Sequence, residues 1–208
     1  MESGYYELAL QEAEQGITDQ TGLGDWKALH GASISERSVW FQFFLSNPDY
    51  MGAGKLLVDM LNRDNDSRLG IYFLANGTTD IVGVSPADSS GSASMLNVVG
   101  HFGMSWKPEF VSWYENSFII AECYYKLNNE EMAIQTLNDA LEGIEARWSS
   151  LGYSNTSIPR YSGVSGDSLL QAIMNEKYKA LFLNIQSWSD WRRTEYPQFI
   201  DNLSLIHI

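Results

Sequence analysis

The chain has 208 residues, 44% of them hydrophobic and 19% charged, with a net charge of −13 and an isoelectric point near 4.5. That length and apolar content suit a globular protein with one large core or two smaller ones, and the abundance of Trp, Tyr and Phe excludes a disordered chain. An acidic surface repels phosphate backbones and anionic headgroups, which argues against nucleic acid and direct lipid adhesion and leaves neutral ligands such as sugars open.

Tyr5 to Gln15 has helix-forming composition, and Gly16 and the Thr21-Gly22-Leu23-Gly24 segment break it. Ser38 to Leu45 is an aromatic run of strand-like propensity, closed by an Asn47-Pro48-Asp49 turn. Gly54 to Asn62 is a short amphipathic helix with Leu56, Leu57, Met60 and Leu61 on one face, and the polar stretch from Asn62 to Ser67 ends it. Ile71 to Leu74 is a short apolar segment. Ala75 to Gly103 is rich in Gly, Ser and Asn and reads as a long loop with room for short strands, a kind of segment that often carries function.

The remainder reads as helical. Ser105 is a possible cap, with Pro108 and Glu109 in the first turn. Phe110, Trp113, Tyr114, Ser117, Phe118, Ala121 and Tyr125 then recur at helical spacing. Asn128-Asn129 is a tight turn, and a second helix from Glu130 to Trp148 buries Ala133, Ile134, Leu137, Ala140, Leu141 and Ile144. So short a turn packs the two helices antiparallel, a hairpin of the tetratricopeptide kind. A polar loop from Gly152 to Gly166 follows. A third helix begins at Asp167 as N-cap, buries Leu169, Leu170, Ile173, Met174, Ala180, Leu181 and Ile185, and runs on through Trp188 and Trp191 until Pro197 stops it.

Two stretches carry a family resemblance. Ser112 to Arg147, beginning Ser-Trp-Tyr-Glu-Asn-Ser-Phe-Ile-Ile-Ala-Glu-Cys, resembles the "sY-x-E-x-x-F-x-x-AEA" hairpin found late in SusD/RagB-type nutrient-binding lipoproteins. Ala172 to Pro197, with Glu-Lys-Tyr-Lys-Ala-Leu-Phe and Trp-Ser-Asp-Trp-Arg-Arg-Thr-Glu-Tyr-Pro, resembles that family's "I-x-x-EKY-x-ALF-x-x-x-x-eaW-x-D-x-RRTgYP" segment and is the more specific match. A third match, Pro48 to Leu69, resembles a helix followed by "ND-P-RL", with Ser67 where Pro is usual.

The resemblance implies a mainly α, SusD-like fold with a tetratricopeptide-like helix hairpin and a long irregular loop region. It implies a parent protein lipid-anchored on the outer face of the outer membrane. Such a protein acts as a lid on a SusC-like TonB-dependent transporter and captures an oligosaccharide without bond chemistry. Family members begin with a signal peptide and a lipidated cysteine and carry an N-terminal helical-repeat half; Met1-Glu2-Ser3-Gly4-Tyr5-Tyr6 has neither the basic nor the apolar region of a signal peptide. A chain so beginning reads as cytoplasmic if complete. Residues 1–202 therefore read as a partial SusD-like domain whose membrane link, a lipid anchor, lies outside this sequence. The last six residues, Leu203-Ser204-Leu205-Ile206-His207-Ile208, match the translation of a transposase mosaic end and read as sequencing adapter.

Candidate functional residues follow. Sugar C–H faces stack on aromatic rings, so Trp40, Tyr50, Tyr72, Asn76 and Trp106 are the expected ligand-binding set. Phe41, Phe43, Phe44, Phe73, Asn97 and His101 lie around them, and core packing is the competing role for the aromatic run. Trp188, Asp190, Trp191, Arg192 and Arg193 could grip a ligand or make structural charge-assisted contacts; the structural role is preferred because the motif recurs in the family whatever the ligand. His30 and His101 lack metal-type spacing, and Asp64-Asn65-Asp66 lacks the Gly and Glu of a calcium loop. No metal or cofactor is expected. Cys123 alone makes neither an intrachain disulfide nor a zinc site. Glu130, Glu131, Glu142 and Glu145 lie on a solvated helix face, which gives no case for a catalytic pair. Alternatives are a peptide-binding relative, a glycoside hydrolase or its accessory module, and, if Met1 is the true start, a cytoplasmic helical-repeat scaffold.

Overall fold

The computed structural model describes residues 4–48, 52–77, 80–85 and 93–198. Tyr50 and residues 203–208, both singled out above, lie outside these. About half of the described residues are helical and the strands among them are few and short, the mainly α architecture that the hydrophobic periodicity predicts. It divides into two units: Met1–Asp25 with Val111–Arg147 and Arg160–Ile208, and Trp26–Phe110 with Trp148–Pro159.

In the first unit, α1 (Tyr6–Glu14) packs on α5 (Trp113–Lys126), and α5 also packs on α7 (Asp167–Ala180). The predicted hairpin is α5 with α6 (Glu130–Ser150). Its first helix starts later than Pro108 implies, because residues Glu109–Val111 form a short strand, β4, instead of a first turn. The true start is a capping-box sequence, Ser112-Trp113-Tyr114-Glu115, in which Ser112 Oγ accepts from the Glu115 N–H at 3.3 Å. Asn128, left-handed at φ 59°, ends α5, and Asn129 Oδ1 then accepts from Met132 N–H at 3.3 Å to open α6.

The hairpin core is close-fitting: Trp113, Phe118, Ala133, Leu137 and Leu141 are fully buried. A Cβ on Gly143 would lie 2.6 Å from Trp113, so only glycine lets that ring against α6. Asn116 Nδ2 donates to the carbonyls of Ala13 (2.8 Å) and Ile17 (3.1 Å), which ties the end of α1 and the segment after it to α5. Asp167 is the first helical residue of α7, with Gly166 at the cap position; Gly166 N–H donates to Glu130 Oε1 at 2.8 Å. The third helix is also not continuous. It breaks after Ala180, where Leu183 is left-handed at φ 67°, and resumes as α8 (Gln186–Thr194), which a left-handed Glu195 ends before Pro197.

In the second unit the aromatic run is a helix, α2 (Val39–Ser46), and not the expected strand. Gln42 is the single polar residue inside the run, too few to set a period, so periodicity could not separate strand from helix. Tertiary packing decided it: Phe44 is buried, with Trp40 one turn earlier stacked on it at 6.5 Å. Next come α3 (Lys55–Arg63), which buries Leu57, Val58, Met60 and Leu61, and α4 (Arg68–Tyr72). Strands β2 (Phe73–Leu74) and β3 (Met95–Leu96) pair antiparallel, Phe73 with Leu96 and Leu74 with Met95. The expected long loop lies between them, and its described residues are tied down by backbone bonds: Lys55 N–H to Val84 O (2.9 Å), Val84 N–H to Ala53 O (2.9 Å), and Ser94 N–H to Val82 O (2.8 Å). A second two-stranded ribbon joins β1 (Trp26–Lys27) to β4.

Candidate functional site

The second unit gathers a group of its ring-bearing side chains into one cluster. Its floor is Tyr72, Phe73 and Phe102, each at 3% exposure or less. On that floor sit four half-buried rings: His101, Trp106, Trp148 and Tyr153. His101 is central, with ring centroids 4.5 Å from Trp148, 6.0 Å from Trp106 and 6.4 Å from Tyr153, all edge to face. Trp148 and Tyr153 meet at 5.4 Å, also edge to face, the geometry that aromatic quadrupoles favour.

Local backbone chemistry explains why each ring is there. The loop from Asn97 to Trp106 is pinned to α4 by Asn97: its N–H donates to Tyr72 O (2.9 Å), its Nδ2 to Ile71 O (3.2 Å), and its own carbonyl accepts from Phe102 N–H (2.9 Å). Trp148 and Tyr153 arrive through the end of α6. Gly152 is left-handed at φ 91°; its N–H donates to Ser149 O (3.0 Å) and Tyr153 N–H to Trp148 O (3.1 Å). This is the Schellman closure, in which the residue after the glycine folds back on the residue five before it. A second clamp holds the segment that follows. Ser67 N–H donates to Ser157 O (3.1 Å) and Ser157 N–H to Ser67 Oγ (2.6 Å). Ser67, which stands where the sequence resemblance expects proline, thus tethers this segment.

Two buried polar atoms here, Trp148 Nε1 and Asn97 Oδ1, have no hydrogen-bond partner among the described residues, a costly condition in a folded chain. Burial pushes the Tyr153 phenol pKa up, so that phenol stays uncharged at neutral pH. The cluster can offer ring edges and faces to an apolar or sugar surface.

Of the predicted ligand set, Tyr72 and Trp106 meet in this cluster through His101 and Phe102. Tyr72 is floor, not rim. Trp40 stacks on Phe44 in α2, and Asn76 is exposed with its Nδ2 donating to Ala93 O at 3.2 Å. Trp148 and Tyr153 were not anticipated. The signal for Trp148 was its place at the end of the stripe Leu137, Leu141, Ile144; the signal for Tyr153 was the glycine before it.

The Trp-x-Asp-x-Arg-Arg motif lies in the first unit, where its charges pair with one another and with α5 and α7. Arg193 forks onto both oxygens of Glu122, whose side chain is fully buried, and also reaches Asp190 Oδ1 at 2.7 Å. Asp190 in turn meets Lys177 at 2.7 Å. Burial lowers the Arg193 pKa, but the hydrogen bonds and charges of Glu122 and Asp190 outweigh it and raise it overall. Trp188 and Trp191 stack at 5.1 Å, and Arg192 is exposed. Lys179 and Tyr161 both engage Glu176.

The Asp66 carboxylate is taken by Arg68 (Nε to Oδ1, 2.9 Å) and Asp64 pairs with Arg63. Of the four helix-face glutamates, Glu145 pairs with Arg160 and Glu130 accepts from Gly166. Among the described residues no group of three His, Cys, Asp or Glu is placed to hold a metal, and no helix is long and apolar enough to cross a membrane.

Comparison with known proteins is consistent across sequence and structure. Residues 19–205 match the SusD-like family described as starch-binding and associating with the outer membrane. No curated protein matches the sequence. A SusD homolog from Bacteroides thetaiotaomicron superposes with a TM-score of 0.63 at 20% identity, covering 94% of this chain and 47% of that one. A Bacteroides vulgatus SusD homolog gives 0.65 at 18%, covering 92% and 47%. A chitin-binding protein gives 0.62 at 19%, covering 79% and 42%. The chain thus spans less than half the length of the solved structures it matches.

Proposed function

Because the chain belongs to the SusD-like family of starch-binding proteins that associate with the outer membrane, we propose that it is part of a surface glycan-binding protein. It captures a neutral oligosaccharide and passes it to a SusC-like TonB-dependent transporter. The parent is held at the cell surface by a lipid anchor outside residues 1–208, and the protein binds without catalysis. The observation that carries this reading is the half-buried aromatic rim of His101, Trp106, Trp148 and Tyr153. Aromatic rings bind pyranose C–H faces without needing charge, and the net charge of −13 works against anionic glycans.

The test is affinity electrophoresis in starch or soluble chitin gels, followed by calorimetry with the corresponding oligosaccharides. Retardation of the folded chain is expected, and Trp106→Ala should weaken binding about tenfold, the loss of roughly one ring contact. A folded protein that ignores every neutral glycan but captures members of a peptide library would overturn the sugar reading in favour of a peptide ligand. Co-purification of the parent with a TonB-dependent transporter tests the partner separately.

A further inference from the structure

The β1–β4 ribbon presents the most exposed pair of touching aromatic rings described in the chain. Trp26 is 67% exposed and Phe110 50%, with ring centroids 5.3 Å apart. Leu29, two residues beyond β1, is 83% exposed. Single exposed apolar side chains are ordinary, but paired aromatic rings on a sheet face mark a contact surface.

The ribbon itself gives the second observation. Neither Trp26 and Lys27 of β1 nor Glu109 and Phe110 of β4 is buried. Ala28 N–H donates to Pro108 O at 2.9 Å, so the pairing extends beyond the named strands without gaining a buried side chain. A two-stranded ribbon is marginal in water and needs a third strand or a packed layer on its apolar face. Among the described residues nothing covers this face, and Trp26 and Phe110 stay exposed.

What supplies it is indicated by length. The solved structures that match 79–94% of this chain are matched over only 42–47% of their own. More than half of a SusD-like polypeptide therefore lies outside the matched region. We propose that the Trp26–Phe110 face of the β1–β4 ribbon is the seam on which the rest of the SusD-like polypeptide, outside residues 1–208, packs. The inference does not depend on the glycan reading, since an intramolecular seam is needed whatever the ligand.

The test compares the 208-residue chain with the longer protein encoded at its source locus, using hydroxyl-radical labelling read residue by residue. In the longer protein, labelling of Trp26 and Phe110 should fall about tenfold, as for rings moved into an interface core, while Trp188 keeps its rate. The double variant Trp26→Ser/Phe110→Ser should reduce dye binding and self-association of the short chain, yet lower the Tm of the longer one. Equal labelling of Trp26 in both proteins would overturn the proposal, as would a source locus with no further coding sequence. Protection of Trp26 in the longer protein by an added oligosaccharide alone would also overturn it and make the ribbon a sugar platform.

Discussion

Replacing Arg193 with Met tests what the family motif does. Glu122 is fully buried, and Arg193 is its fork partner, with Nη2 to Oε2 at 2.8 Å. Removing the guanidinium while keeping an apolar stem leaves a carboxylate desolvated and unpaired. Breaking a buried pair from one side costs about 3–5 kcal/mol, and because the Arg193 side chain retains 18% exposure the lower end applies. For a chain of this size that corresponds to a fall of roughly 6–12 °C in Tm. Urea denaturation followed by Trp fluorescence measures it. Two controls make the reasoning refutable. Arg192→Met changes a neighbouring but exposed arginine and should lie within about 0.5 kcal/mol of the parent. Glu122→Gln combined with Arg193→Met removes the stranded charge and should recover most of the loss. If Arg193→Met and Arg192→Met are equally mild, or if the double variant is no better than the single, the network does not hold the fold.

Four other outcomes follow from the geometry. Gly152→Ala forces a residue with a Cβ to φ 91° and should cost about 1–2 kcal/mol by melting, while loosening Tyr153 from Trp148. Ser67→Pro suits the backbone, since Ser67 has φ −61°, but removes the N–H to Ser157 O and the Oγ acceptor for Ser157 N–H; a loss of about 1–3 kcal/mol is expected. Burial raises the Glu115 pKa above its ordinary 4.5, with nearby Asp190 adding to the rise and Lys177 opposing it. A raised folded-state pKa means its contribution is present below about pH 4.5 and is lost as pH rises through the folded value, so Glu115→Gln should stabilise at pH 7 and give no gain in stability at pH 4, as read from Tm against pH. The Cys123 thiol is buried and its pKa is pushed up to about 11, by burial first and by Glu122 second. It should therefore resist thiol reagents at pH 8 until the protein unfolds.

The helical hairpin was legible because its information is local. Phe118, Ala121 and Leu137, Leu141, Ile144 repeat at helical spacing, and Asn128 can take the left-handed conformation that ends α5. The start of α5 was misread because Pro108 is an attractive first-turn residue, yet a better cap, Ser112 with Glu115 three residues on, stood just beyond it. The aromatic run at 39–46 was ambiguous in principle, since Gln42 is its one internal polar position and a single such position sets no period. In the segment between β2 and β3, Val84 is held by Ala53, Gly54 and Lys55, some thirty residues earlier in the chain, and no local pattern announces such bonds.

The candidate site divides along the same line. Tyr72 and Trp106 could be marked from composition, but the rim also takes Trp148 and Tyr153 from the far end of α6, some forty residues on. Their arrival depends on a glycine closure whose geometry the sequence permits without declaring. Trp148 looked like the last residue of a core stripe, which in part it is. Glu122 is the parallel case in the other unit: a carboxylate within the apolar stripe of α5 signals a buried partner, but nothing nearby in sequence identifies Arg193.

The two sets of residues also carry different kinds of information. Asp190 and Arg193 tie α8 to Glu122 on α5 and Lys177 on α7 through buried charge. Any substitution there strands an ion, so the motif must stay fixed whatever the protein binds. The rings of His101, Trp106 and Tyr153 are only half-buried, and a change of size or polarity at the rim strands no charge. Such positions can vary with the ligand at modest cost to the fold. The most recognisable segment of this chain is therefore informative about family and silent about ligand; under the proposed function, selectivity among neutral glycans should follow substitutions at His101, Trp106 and Tyr153, with the Trp188–Arg193 segment left intact.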